Sequence, residues 1–121
     1  MKQDLKLRTK GFALGIIRLY SGLPKKAEAQ VLGNQLLRSG TSVGAHYREA
    51  RRAKSNADFI SKIEGGLQEL EETEYWLELL GESDLVPEDK LRPLLKETNE
   101  LIAIFVSMAR KTKAIQNSAK Q

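Results

Sequence analysis

Apolar residues recur at three- and four-residue spacing through four long segments, and helix-breaking residues close each segment. The first segment carries Leu5, Phe12, Ile16 and Leu19, and the second carries Leu32, Leu36, Val43, Ala50 and Ala53. The third carries Ile60, Ile63, Leu67, Leu70 and Leu77, and the fourth Leu91, Leu95, Ile102, Phe105 and Ala109. No stretch alternates apolar and polar residues as a half-buried strand would, so the chain is all-α. Punctuation agrees with period. Ser21-Gly22-Leu23-Pro24 stops one helix and restarts another, and Ser55-Asn56-Ala57-Asp58 offers several N-cap side chains. Gly81-Glu82-Ser83-Asp84 ends a third helix, and Val86-Pro87-Glu88-Asp89 opens the fourth with proline and acids in its first turn.

The expected helices are Asp4–Tyr20, Lys26–Lys54, Asp58–Leu80 and Pro87–Ile115. Short connections between long helices make sequential neighbours antiparallel, which defines an up-down-up-down four-helix bundle. The 121 residues fit a single domain, residues 1–121, around one core. In a hairpin of the second and third helices around Ser55, positions whose numbers sum to about 110 lie level. Gly40 and Gly44 are then expected to face Gly66, Leu67 and Leu70 in a close crossing, or else to act as a hinge. Glu74 interrupts the third apolar stripe and is expected to be partly buried. Arg38 is the level partner for Glu71, Glu72 or Glu74, in an ion pair that fixes register.

Second apolar rows, Ala13, Ile17 and Tyr20 on the first helix and Leu94, Leu101, Ile104 and Met108 on the fourth, imply burial on another side. They are expected to be covered by a neighbouring subunit of a homo-oligomer. Trp76 and the adjacent Tyr75 point in different directions, so one belongs to the core and the other is free to line an interface.

The inventory argues against catalysis. Cysteine is absent, which removes disulfides and thiolate metal sites and favours a cytoplasmic setting. The N-terminus has no unbroken apolar run of the signal-peptide kind, and no segment approaches the ~20 apolar residues of a membrane span. The one histidine, His46, belongs to no Glu-x-x-His motif, so the di-metal carboxylate site of some bundles is missing. His46 falls beside the apolar stripe of the second helix, where a hydrogen-bonded core histidine is expected rather than a general base. Gly40-Thr41-Ser42-Val43-Gly44 lacks the strand, lysine and spacing of a phosphate loop. The chain is therefore expected to be no enzyme and to need no cofactor or metal.

Charge is segregated. Residues 38–54 hold five Lys/Arg against one acid, whereas residues 55–84 hold Lys62 alone against nine acids, so a basic helix precedes an acidic one. Within the basic run, Arg48, Arg51 and Arg52 have i, i+3 and i+4 spacing and share a helix face, with Lys54 just beyond. Two readings fit: cations that offset the dipole at a helix C-terminus, or a phosphate-binding surface. Arg110, Lys111, Lys113 and Lys120 either extend that surface or form a frayed, solvated tail.

Three stretches resemble a known family: Arg38-Ser39-Gly40-Thr41-Ser42-Val43-Gly44-Ala45-His46-Tyr47-Arg48-Glu49-Ala50, Ser55-Asn56-Ala57-Asp58-Phe59-Ile60, and Glu72-Thr73-Glu74-Tyr75-Trp76-Leu77. The family is that of the bacterial four-helix-bundle proteins encoded in intervening sequences of large-subunit ribosomal RNA genes. The accessory variability determinant proteins of diversity-generating retroelements are related to it. The resemblance is strong over the middle third of the chain and architectural elsewhere. It implies a homopentameric ring with a basic surface that, in the retroelement branch, engages nucleic acid and a reverse transcriptase. On this chain the implied nucleic-acid-binding residues are Arg48, Arg51, Arg52 and Lys54; no catalytic residue carries over. His46 stands where relatives usually carry asparagine. The alternative to an RNA-binding bundle is a structural protein–protein interaction module with no nucleic-acid role.

Overall fold

The computed structural model describes residues 4–119. Four helices follow in order: α1 (Leu5–Ser21), α2 (Ala27–Arg51), α3 (Asn56–Glu82) and α4 (Glu88–Ala119). Local chemistry explains each boundary. Asp4 caps α1 by accepting from the backbone N–H groups of Lys6 and Leu7. The second helix ends at Arg51, short of the expected Lys54, because Arg52 and Ala53 turn back to the carbonyls of Glu49 and Ala50 at 3.0 and 3.1 Å. Ser55 then caps α3, accepting from the Asp58 N–H at 3.0 Å, while the Asp58 carboxylate accepts from the Lys54 N–H. These reciprocal caps compress the link between α2 and α3 to four residues, so the last turn of one helix abuts the first turn of the next. The fourth helix runs on past the expected Ile115, so the basic C-terminal segment is helical through Ala119; Lys120 lies outside the described residues.

Neighbouring helices are antiparallel, and the matched levels trace the up-down-up-down bundle. Ile16 meets Gly40 and Thr9 meets Gly44 between α1 and α2. Arg38 meets Glu69 and His46 meets Gly65 between α2 and α3. Gly81 meets Leu91 and Gly66 meets Phe105 between α3 and α4. The seam between α1 and α4 is the sparsest of the four. It is held by Arg8 with Glu97 and Glu100 and by Leu94 packed against Gly15. Phe12, Ile16, Leu36, Val43, Ile63, Leu70, Leu77, Leu101 and Phe105 fill the core between them.

Three expectations need correction. The small-residue row of α2 faces α1, not α3: a Cβ on Gly40 would stand 2.7 Å from an Ile16 side-chain carbon, and one on Gly44 would stand 3.2 Å from Thr9 Oγ1. Level-matching fixes height along a helix but leaves azimuth open, and Ser39 and His46 are the residues turned toward α3. Arg38 does pair across to α3, with Glu72, one of the three expected candidates, and also with Glu69, which was not among them. Glu74 is half-buried and joins no ion pair among the described residues. Leu101, assigned to an outer row, is fully buried, whereas Ile17 is exposed and Ala13, Tyr20, Leu94, Ile104 and Met108 are half-buried. Trp76 packs against the core and Tyr75 is exposed, with ring centroids 5.0 Å apart.

Candidate nucleic-acid interface

Antiparallel packing gathers four chain segments at one end of the bundle: the start of α1, the end of α2, the start of α3 and the last turns of α4. Their sequences are rich in cations, so the end that holds the α2–α3 link is the basic one. The far end carries Glu78, Glu82, Asp84, Glu88 and Asp89. These acids stand beside Arg18, Lys25, Lys26, Lys90 and Arg92, so the far end mixes both signs while the end at the α2–α3 link carries the excess of cations.

At the basic end, Arg48, Arg51 and Arg52 line a cleft of about 450 Å³ together with Lys6 of α1 and Glu49. Arg48 lies in the last turn of α2 and Arg52 is the residue that caps its end, while the α1–α2 register brings Lys6 level with Arg48. A second depression of about 470 Å³ shares Arg51 and is lined by Lys54, Ser55, Asn56, Phe59 and Thr112. The structure therefore brings Arg48, Arg51 and Arg52 to one cleft and turns Lys54 round the corner, toward α3 and α4. Lys6 escaped sequence reasoning. Its signal was present only as an isolated lysine on another helix, and pairing it with Arg48 needed the azimuth of α1.

How the cations are partnered separates them into two groups. Arg8 and Arg38 are neutralised within the bundle, and each is held charged more firmly than usual. Hydrogen bonding to Glu97 pushes the Arg8 guanidinium above its ordinary value, and hydrogen bonding to Glu72, with the charge of Glu69, does the same for Arg38. Arg48, Arg51, Arg52 and Lys54 are all exposed, and among the described residues none of them forms an ion pair. Lys113, one of the C-terminal cations, is bound to Glu64 at 2.8 Å, while Arg110 and Lys111 are exposed.

His46 is half-buried and its ring lies over Gly65, close enough that a Cβ there would stand 2.9 Å from Nδ1. Among the described residues its buried Nδ1 has no hydrogen-bond partner, so at this nitrogen the expected hydrogen bond is replaced by packing. Gly65 leaves room for the ring, which is why an imidazole fits between α2 and α3 at this level. Among the described residues no group of three or more histidine or carboxylate side chains is placed to hold a metal ion, and no helix is long and apolar enough to cross a membrane.

No curated protein sequence matches the chain. Among solved structures, the chain is similar to a protein of unknown function from the S23 ribosomal protein family of Bacteroides thetaiotaomicron. The two are 38% identical, with a TM-score of 0.82 over 88% of this chain and 98% of that one. Residues 2–107 match the family described as 23S rRNA-intervening sequence protein. With a matching bundle and a family match over most of its length, this chain belongs to the 23S rRNA-intervening sequence protein family.

Proposed function

We propose that this protein is a non-enzymatic, ring-forming helical bundle that binds RNA through the basic end of the bundle. The observation that carries the reading is the unpaired state of Arg48, Arg51 and Arg52. The bundle satisfies Arg8 and Arg38 with carboxylates but leaves these three exposed around one cleft. Arginine presents a planar donor fork suited to phosphate, and several such forks on one face give affinity for a polyanion without base recognition. Offsetting the dipole at the end of α2 accounts for a few tenths of a kcal/mol per cation and does not require three arginines on a shared cleft. Family membership supports an RNA setting, and the resemblance to the retroelement proteins supports a homopentamer and makes a reverse transcriptase a candidate partner. Repetition of the basic end around a ring would multiply its field.

A second reading, a protein–protein interaction module, is favoured by exposed apolar side chains on α1, where Leu7 is 64% and Leu14 42% exposed. The two readings separate by salt. Phosphate contacts weaken steeply as salt is added, and apolar contacts do not. Light scattering coupled to size exclusion, with and without total cellular RNA, tests the first reading. A species of about five chains that carries RNA until salt strips it is the expected result. A monomer that ignores RNA overturns it.

A further inference from the structure

We infer that the binding surface extends along the groove between α1 and α2, where Lys6 and Lys10 face Arg48 and Arg52 and together follow the phosphate backbone of a folded RNA duplex. This inference rests on the RNA-binding reading of the basic end and names the path and the form of the RNA. The cleft that holds Lys6, Arg48 and Arg52 continues into a further depression of about 270 Å³, and Arg48 belongs to both. That depression is walled by Lys10 and floored by Thr9, Ala13, Thr41, Gly44 and Ala45.

The floor is shallow for a physical reason. Gly44 lets α1 approach so closely that a Cβ there would stand 3.2 Å from Thr9 Oγ1. The Thr9 hydroxyl is already spent on the Leu5 carbonyl at 2.7 Å, so the floor offers neither bulk nor free charge. Long cations rise from both sides. Lys6 and Lys10 are one helical turn apart on α1, a rise of about 6 Å, and Arg52, the C-cap of α2, follows Arg48 at the end of that helix. Both rows run along the groove, an arrangement that meets successive phosphates of one strand. Glu49 is the one acid at its rim.

The form of the RNA follows from what the walls lack. Proteins that hold single strands pair a cationic groove with aromatic side chains on which bases stack. Neither of the depressions that share Arg48 is lined by an aromatic residue. Contact is then with phosphate and sugar alone, which suits a duplex whose bases are stacked away from the protein.

The test measures binding of the full-length protein to an RNA hairpin, and to an unstructured RNA of equal length, across a salt series. Three exposed-site variants are compared with wild type: Lys6→Gln with Lys10→Gln, Arg48→Ala with Arg52→Ala, and Lys25→Gln with Lys26→Gln. The last pair removes the same charge as the first from the opposite end of the bundle. The expected result is a salt slope shallower by about one for each groove lysine removed, with the hairpin bound at least as tightly as the unstructured strand. The Lys25 and Lys26 pair should leave the slope unchanged. If the arginine pair loses binding while the Lys6 and Lys10 pair matches wild type, the groove is wrong and the basic-end reading survives. If the Lys25 and Lys26 pair falls as far as the groove pair, net charge rather than the groove is responsible and the inference fails. Preference for the unstructured strand overturns the duplex assignment. If wild-type protein binds neither RNA, both readings fall together.

Discussion

Arg8 of α1 grips both carboxylate oxygens of Glu97 on α4, its Nε and Nη2 each 2.7 Å away, and Nη2 also reaches Glu100 at 2.8 Å. The side chains of Arg8 and Glu97 are only 17% and 27% exposed, so water screens the fork weakly. It closes the sparsest seam of the bundle, which makes it the contact with the least redundancy around it. Arg8→Ala leaves Glu97 half-buried without its partner and should cost about 2–3 kcal/mol. Arg8→Lys keeps the charge but not the fork and should recover less than half of that. Because the Arg8 value is raised on folding, its contribution is complete below the ordinary arginine range and is lost only as pH climbs through the still higher folded value. The deficit of Arg8→Ala should therefore stay flat from neutral to moderately alkaline pH in urea unfolding. A deficit that shrinks over that range would contradict the assignment.

Two glycines should respond in opposite directions to the same substitution. Gly40 is buried under Ile16, and a Cβ would stand 2.7 and 2.9 Å from two of its carbons, so Gly40→Ala must push α1 away. Overpacking of this kind costs about 1–3 kcal/mol, more than the gain of about 1 kcal/mol in helix propensity returns. Gly11 has nothing within 4 Å of where its Cβ would lie, so Gly11→Ala should stabilise the bundle by about 0.5–1 kcal/mol. Thermal unfolding of both variants at low concentration checks the pair. A loss of stability in Gly11→Ala that grows with protein concentration would mean that a second chain packs against α1 beside Leu7 and Leu14.

The four helices were legible because period and punctuation reinforce each other, and the register of α2 on α3 was legible because a short link fixes which residues are level. Level-matching therefore offers Arg38 three partners, Glu71, Glu72 and Glu74, of which it takes Glu72, while its other partner, Glu69, lies one turn away on α3. What the sequence could not supply was azimuth. Ser39 and Gly40 are adjacent, yet one turns to Thr73 on α3 and the other to Ile16 on α1. The same gap hid half of the candidate site. Arg48, Arg51 and Arg52 stand together on one helix, so spacing alone groups them. Lys6 and Lys10 join them only through the approach of α1 at Gly44.

Ser39 and Thr73 form a buried polar contact between α2 and α3, with hydroxyl oxygens 2.9 Å apart and both residues fully buried. Thr73 also lies 2.8 Å from the Glu69 carbonyl, and Ser39 lies 3.3 Å from the Leu36 carbonyl, so each hydroxyl has a backbone acceptor as well. Thr73→Val leaves the buried Ser39 hydroxyl with only its long bond to the Leu36 carbonyl, at a cost of about 1–2 kcal/mol. Adding Ser39→Ala removes the poorly satisfied hydroxyl, so the double variant should be less unstable than the two single losses predict. A double-mutant cycle by urea unfolding measures the coupling. Strict additivity would mean the two hydroxyls do not interact.

Asp84 is the one described non-glycine residue with positive φ, at 61°. It follows the last turn of α3, where its N–H bonds the Gly81 carbonyl and the Leu85 N–H reaches back to the Leu80 carbonyl, each at 3.1 Å. This closing pattern favours glycine, because a Cβ in the left-handed region is crowded by its own backbone. Aspartate tolerates the conformation better than most residues, yet among the described residues its side chain makes no hydrogen bond to offset the remaining strain. Asp84→Gly should therefore raise stability by about 0.5–1 kcal/mol despite the greater freedom of glycine in the unfolded chain. Asp84→Val, branched at Cβ, should lower it by about 1 kcal/mol or more. Thermal midpoints that move up for glycine and down for valine, by a few degrees each, are the expected outcome. If glycine destabilises instead, the exposed carboxylate contributes more to the α3–α4 turn than its backbone costs, and the strain assigned to Asp84 is wrong.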